Sequence, residues 1–453
     1  MFYLGLWGAK FYLLILKLLK KEKDDKPGLV AYKFCKDFLE KLNKPKMIIG
    51  VTGTNGKTTT INLIADALKL DNKKIIYNDW GANTLSGYAR CLIEGVNIFN
   101  KPKDVIAIVE IDEVTSDKYL PLINPNYLVV SNLFRDSMHR NANPDYVFNK
   151  INKGLTKDTT LILNGDDPFS SRLGENTNKC VYYGIEKIDE ENDKISHNLI
   201  NDFTICPNCF SNLTYDFVRY HHIGKVHCEN CGFKSKENDF TGTLDFENNR
   251  IIIKSKSNSI DVKMISDSIF NSYNEMSLIA LLYELGYEDT KIIDIVEKLE
   301  IVKTRYSSKI VNGIEVSTMV SKGMNAIATS HVLNYISKID KKLELILVVD
   351  DQFDNKGGSE AIAWIYDSDF ELLNKDNIKR IIVGGVRSRD YKLRLLLAGV
   401  PGEKIFICDN ELDASKYIIT DDIEKIIILH DVYFITGANE ISDKVSNMIK
   451  GEE

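Results

Sequence analysis

The 453-residue chain contains no low-complexity tract and no internal repeat, so it does not read as a repeat array or a linker. It has no excess of positive charge. Its 58 Lys and Arg against 65 Asp and Glu leave a formal net charge of -7, which gives no general case for nucleic acid. Its eight cysteines are too few and too unevenly spread for a disulfide framework. It also lacks an unbroken apolar run long enough to span a membrane. Residues 1–20 are largely apolar but are interrupted by Lys10 and Lys17, whereas a span needs about 20 apolar residues. Nor does that stretch read as a signal peptide, because its charge comes last and no small-residue cleavage site closes it. What is present is a 44% hydrophobic content, enough to fill the cores of two or three domains.

The chain is organised around Gly50-Val51-Thr52-Gly53-Thr54-Asn55-Gly56-Lys57-Thr58-Thr59-Thr60. An apolar run, Met47-Ile48-Ile49, precedes it, and apolar residues at helical spacing follow from Ile61 to Leu68. Strand, glycine loop and helix are the setting of a phosphate loop, in which backbone N–H groups and the helix N-terminus meet an anion. Lys57 is placed to reach terminal phosphates and the Thr58 hydroxyl to hold Mg²⁺. Val51 stands where the general motif has its first glycine, and Gly53 is expected to make the turn instead.

Further strands end in polar loops. Lys74–Tyr77 feeds Asn78-Asp79-Trp80-Gly81-Ala82-Asn83-Thr84, and Asp104–Ile111 runs into Glu110, Asp112 and Glu113. Glu110 is the candidate for a second hold on Mg²⁺. Tyr127–Asn132 and Thr160–Pro168 repeat the pattern, so residues 46–304 read as a doubly wound α/β domain. Asn271 and Asn274, three apart at a helix start, are placed to present amides to an adenine edge or to a nearby loop. Arg305, at the expected domain junction, is a candidate phosphate clamp. Strand signals at Leu343–Val349, Ile381–Gly384, Lys404–Cys408 and Lys425–Ile428 give a smaller α/β domain over 305–453.

Within 200–240, Cys206-x-x-Cys209 and Cys228-x-x-Cys231 form two knuckles 18 residues apart. Four thiolates make a closed Zn²⁺ shell, structural rather than catalytic, in a reducing compartment. Phe203, Tyr215, Phe217 and Phe233 are expected to supply a very small core, leaving the ribbon dependent on its metal. Residues 1–45 read as helices. Leu4, Trp7, Phe11, Leu14, Ile15 and Leu18 share one helical face, expected either to lie on a membrane or to pack on the protein's own body. A second helix is expected over Leu29–Leu42, and Thr436-Gly437-Ala438-Asn439 reads as a polar strand end in the last domain.

Thr52-Gly-Thr-Asn-Gly-Lys-Thr-Thr59 resembles the ATP loop of the Mur ligases. Taken with Gly81-Ala82-Asn83, Glu110-Ile-Asp-Glu113, Asn132-Leu-Phe-Arg-Asp136, Asn164-Gly-Asp-Asp-Pro168, the cysteine ribbon and Gly385-Val-Arg-Ser-Arg-Asp390, the whole chain resembles the MurT family within them. That resemblance implies an ATP- and Mg²⁺-dependent ligase subunit of lipid II isoglutaminyl synthase, working in the cytoplasm with a GatD-like glutamine amidotransferase. The α-carboxylate of D-glutamate in lipid II would be activated as an acyl phosphate and amidated by ammonia. It also implies ATP contacts through Gly53, Thr54, Asn55, Gly56, Lys57, Thr58, Thr59, Asn271, Asn274 and Arg305. The chain departs from the family at Gly358–Trp364, where an aspartate-bearing stretch is expected; Glu360 and Asp354 are the candidates to replace it. His139 and Ser307 are two further departures. A Mur-type ligase acting on another peptide or amine, and a zinc-ribbon NTPase binding nucleic acid, are the alternatives. Replacing Lys57 is expected to abolish the phosphoryl step and barely touch folding.

Overall fold

A computed structural model describes residues 1–20, 24–78, 83–135, 143–188, 191, 197–256, 258–266, 268–300, 306–349 and 362–451. The chain forms two compact units. The first takes in the described residues up to Phe134, Asn143–His197 and those from Asn201 to 300. The second takes in Arg135, Asn198–Ile200 and the described residues from 306 onward.

The first unit opens with helices α1 (Phe2–Leu18), α2 (Lys26–Phe34) and α3 (Phe38–Lys41). The single helix expected over Leu29–Leu42 is therefore corrected to two. Cys35 takes an extended conformation (φ -146°, ψ 105°) and ends α2. Pro27 sits in the first turn of α2, where its missing N–H costs nothing. The α1 helix packs Leu6, Ala9, Leu13 and Leu16 inward while Leu4, Trp7, Phe11, Leu14 and Leu18 stay exposed.

The main sheet is built from β1 (Met47–Thr52), β2 (Ile75–Tyr77), β3 (Ile106–Glu110), β4 (Tyr127–Val130), β5 (Thr160–Asn164) and β6 (Cys180–Ile185). It is completed by β9 (Phe240–Asp245), β10 (Arg250–Lys254) and β11 (Ser259–Lys263), after a separate hairpin of β7 (Thr214–Tyr220) and β8 (Ile223–His227). Strand order is β11-β10-β9-β6-β5-β4-β1-β3-β2. From β2 to β9 all pairs are parallel, and β10 runs antiparallel to both neighbours. The central strands are buried on both faces, which is why they read as continuous Ile/Val/Leu runs. Helices α4 (Lys57–Leu70), α5 (Leu85–Glu94), α6 (Ser116–Ile123), α7 (Pro144–Gly154), α8 (Ile269–Glu284) and α9 (Asp289–Lys298) complete the unit. Because parallel strands all end on the same edge, the loops after β1, β3, β4 and β5 are brought together there.

The second unit carries a six-stranded sheet of β12 (Tyr306–Val311), β13 (Ile314–Val320), β14 (Leu343–Val348), β15 (Ile378–Gly384), β16 (Ile405–Cys408) and β17 (Lys425–His430). The order is β12-β13-β17-β14-β15-β16, parallel except for β12. Its helices are α10 (Ala326–Ser337), α11 (Ala363–Asp367), α12 (Ser388–Leu397) and α13 (Ile435–Lys450). The 436–439 stretch is corrected: it lies in the first turns of α13, directly after the strand-end loop, and not in that loop. Within this unit Arg135 pairs with Asp367 at 2.9 Å.

Candidate nucleotide site and cysteine cluster

The loop between β1 and α4 turns where glycine permits it. Gly53 has φ +132° and Gly56 φ +86°, conformations that a side chain resists. Space forbids a side chain as well, because a Cβ on Gly56 would stand 2.6 Å from Asn274 Oδ1. The loop is held by the end of β4. Asn55 N–H donates to Asn132 Oδ1 (3.0 Å), Ser131 Oγ donates to the Asn55 carbonyl (2.6 Å), and Thr54 N–H donates to the Asn132 carbonyl (2.9 Å). The Thr54 hydroxyl accepts from Phe134 N–H (3.0 Å) and donates to its carbonyl (3.1 Å). Asn132 and Phe134 therefore form the wall of the loop.

The side chains that the loop presents already have partners. Lys57 Nζ lies 2.7 Å from Glu113 Oε2 and also donates to the Gly53 carbonyl. Glu113 is almost fully buried and Lys57 is 12% exposed. Lys57→Ala would thus strand a buried carboxylate, which corrects the expectation that this substitution barely touches folding. Thr58 Oγ1 donates to Glu110 Oε2 at 3.1 Å, so the two groups singled out for Mg²⁺ do converge. Glu110 is fixed from behind by Asn78, whose Oδ1 accepts from Glu110 N–H at 2.8 Å. Asp112 caps the turn that carries Glu113, accepting from Val114 and Thr115 N–H. Thr59 follows Thr58 in the first turn of α4.

Asn274 closes the loop from the side of α8. Its Oδ1 accepts from the Thr60 hydroxyl (3.2 Å), and its amide donates to Asn271 Oδ1 (3.3 Å). Of the two partners considered for these asparagines, the nearby loop is the one Asn274 touches. The residues 79–82, Asp136, His139, Arg305, Asp354 and Glu360 lie outside the described residues. Ser307 lies on β12, where its hydroxyl is 2.7 Å from that of Thr318.

Sequence reasoning did not connect the Asn164–Pro168 turn to the ribbon. Asp166 is buried and receives Lys225 (2.8 Å), Arg219 (3.4 Å) and the Tyr273 hydroxyl (2.8 Å). Burial pushes its carboxyl up, but Lys225 and Arg219 more than offset this and hold it below the usual carboxylate range. Asp167 accepts from Leu133 N–H (2.7 Å) and faces His222 Nε2 at 3.6 Å. The His222 ring sits 4.4 Å from that of Phe134 and 5.0 Å from that of Phe169. So the tip of the β7–β8 hairpin abuts the residue that holds Thr54. No local pattern announces this; the signal was a His-His pair inside an aromatic-rich hairpin.

Cys206, Cys209, Cys228 and Cys231 come together with their four sulfurs all within 4.8 Å of one another. The pairs Cys206–Cys231 and Cys209–Cys228 stand 3.5 Å apart, close to the separation of about 3.8 Å that a tetrahedron with Zn–S bonds of about 2.3 Å requires. The soft four-sulfur donor set and its spacing thus fit Zn²⁺. His221 and His222 are buried among aromatic rings and do not join the cluster. The separate small core expected for the ribbon is corrected. Phe203, Tyr215, Val218 and Val226 belong to the same apolar cluster as Val130 and Leu163 of the main sheet and Phe169 in the segment after β5.

A phosphate loop of this form on a mostly parallel sheet, followed by a second α/β unit, defines a ligase of the Mur type. Family models agree: the Mur ligase middle domain matches residues 51–232 and the MurT ligase C-terminal model matches 323–433. The chain is 33% identical over 384 residues to the lipid II isoglutaminyl synthase (glutamine-hydrolyzing) subunit MurT of Staphylococcus aureus, covering 84% of each chain. It is 29% identical over 411 residues to the subunit of the same name from Streptococcus pneumoniae, covering 89% of this chain and 88% of that one. In fold it is similar to a pseudomurein peptide ligase type C from Methanothermus fervidus (TM-score 0.69, 22% identity, 90% and 81% of the two chains). The chain belongs to the MurT family.

Proposed function

We propose that the chain is the ATP-dependent, carbon–nitrogen bond-forming subunit of a lipid II isoglutaminyl synthase. What supports this is the match to curated MurT subunits along most of the chain, together with the convergence of Thr58, Glu110 and Lys57 on one loop. In this reading an α-carboxylate oxygen of the stem-peptide D-glutamate attacks the γ-phosphorus of ATP. The bridging bond to ADP breaks and an acyl phosphate results. Ammonia then attacks the acyl carbon, the C–O bond to phosphate breaks, and nitrogen gives up a proton as the amide forms. The ammonia comes from glutamine hydrolysed by a GatD-like partner, because free ammonia at neutral pH is mostly protonated and not nucleophilic.

Backbone N–H groups of residues 53–58 and the N-terminus of α4 receive the phosphates. Lys57 exchanges Glu113 for the terminal phosphate. Thr58 and Glu110 would hold Mg²⁺, which would spread the charge of the transferred group. Asn274 keeps the loop in its receiving shape, and Asn271 beside it faces the base. Arg305 clamps phosphate, while Asp354 and Glu360 serve the coupling to the partner. The four cysteines would hold Zn²⁺ as a structural ion and would leave no open position for catalysis.

The test is amidation by the complex with a GatD-like subunit, given lipid II, Mg-ATP and ¹⁵N-amide glutamine. Label in the D-glutamate α-amide, dependent on both proteins, is the expected result. Nucleotide binding without product from either glutamine or ammonium would overturn the assigned acceptor.

A further inference from the structure

The α1 helix is apolar on two opposite sides. One side is used: Leu6, Ala9, Leu13 and Leu16 are buried, and Gly5 lies so close to the Ala31 backbone that a Cβ there would stand 2.8 Å from its carbonyl oxygen. On the other side Leu4, Trp7, Phe11, Leu14 and Leu18 are between 50% and 75% exposed. Their spacing of three and four residues puts them in one stripe along a helix of 17 residues, about 25 Å long. The stripe is widened by a loop. Trp7 Nε1 donates to the Ile98 carbonyl at 2.8 Å, and the neighbouring side chains of Ile98 and Phe99 are 53% and 64% exposed. Single exposed apolar residues need no explanation, but a continuous stripe of this size marks a contact surface.

Charge at its edge selects the partner. Residues 1–20 contain no Asp or Glu and three lysines. Lys10 is anchored on the Ile93 and Val96 carbonyls at 2.9 and 2.6 Å. Burial, with the nearby cations Lys103 and Lys17 and against the opposing pull of Glu94, lowers its pKa to about 8. Lys10 and Lys17, seven residues apart on one flank of α1, form a basic border beside the stripe. No helix among the described residues is long and apolar enough to cross a membrane, and the packed side of α1 ties it to the protein body.

We propose that the exposed side of α1, with Ile98 and Phe99, is a membrane-docking surface that lies in the interface of an anionic lipid bilayer. The apolar stripe enters the acyl boundary and the lysine border meets the headgroup phosphates. This rests on the helix face alone and not on the ligase assignment.

The test uses the full-length protein and sedimentation with vesicles of phosphatidylglycerol and phosphatidylcholine, or of phosphatidylcholine alone, with no nucleotide or peptide substrate present. Binding to the anionic vesicles is expected, at least tenfold tighter than to the neutral ones and weakened several-fold by 0.5 M salt. The double variant Phe11→Ser/Leu14→Ser should lose at least tenfold in vesicle affinity while its melting temperature stays within about 2 °C of the parent, since both side chains are exposed. Lys17→Glu should lose binding to anionic vesicles only. Three results would each overturn the proposal: no binding to anionic vesicles, equal binding by the double variant, or a self-association that the double variant abolishes while vesicle binding is absent. The last would assign the stripe to a second copy of the chain. Retained amidation by a protein that ignores vesicles would sink this inference and leave the ligase reading standing.

Discussion

Lys57 and Glu113 allow the sharpest test of the site in its nucleotide-free form. Their charged atoms are 2.7 Å apart, with Glu113 at 1% and Lys57 at 12% exposure. At an effective dielectric of about 20, charges at that distance attract by about 6 kcal/mol before desolvation is subtracted. Removing one partner of a buried pair costs about 3–5 kcal/mol, because the remaining charge has lost both water and counter-ion. The residual exposure of Lys57 puts the expectation near the low end, about 3 kcal/mol for Lys57→Ala. For a unit of this size that is a fall in melting temperature of about 6 °C. Glu113→Gln should cost less, about 2 kcal/mol, because the ammonium keeps the Gly53 carbonyl and some water. The double variant should be less damaged than Lys57→Ala alone, giving a coupling of about 2 kcal/mol in the cycle. Urea unfolding of the four proteins without nucleotide measures each corner. A Lys57→Ala protein within about 0.5 kcal/mol of the parent, or a coupling below that, would refute the reasoning.

Other expectations are as direct. Gly56→Ala should lower stability by about 2 kcal/mol and weaken nucleotide binding, because the left-handed backbone and Asn274 both oppose a Cβ; isothermal titration with Mg-ATP checks the second part. Cys206→Ser should bring zinc below one ion per chain and destabilise the first unit; metal analysis showing a full complement would contradict the ligand assignment. The buried carboxyl of Glu275 is pushed up to about 8 by burial, against the pull of Ile265 N–H and Lys263 and with a further push from Glu297. A raised carboxylate pKa gives stability that is full below the unfolded value near 4.5 and is lost as pH rises towards 8. Glu275→Gln should therefore remove a decline on the order of a few kcal/mol between those limits, and parallel pH profiles of the two proteins would count against it.

The glycine loop was legible because its grammar is local: a strand, two turning glycines and a cationic helix start lie within about a dozen residues. The strand ends that converge on it were legible for a related reason, since parallel strands put their polar exits on one edge. What closes the loop was not. Asn274 reaches Thr60 across 214 residues, and nothing in either neighbourhood names the other. The Lys57–Glu113 pair escaped because three carboxylates stand at and just beyond the end of β3 and only the turn capped by Asp112 aims Glu113 at the lysine. The β12–β13 hairpin escaped as well, because Ser307, Ser308, Ser317 and Thr318 dilute the apolar alternation that marks a strand. The ribbon's dependence on the main core was hidden by the cysteines, which draw attention to metal and away from Phe203 and Val226.

The cover that Asn274 places over the loop also sets a timetable. A chain made at about 5–20 residues per second needs about 10–40 s to travel from Thr60 to Asn274. During that interval the glycine loop exists without its cover, and for most of it the hairpin tip that supports Phe134 has not been made either. A nucleotide therefore has no finished site to stabilise until nearly the whole first unit has been synthesised. The loop that comes first in the sequence becomes competent last in time, so a ribosome-stalled fragment ending before residue 274 should bind no ATP.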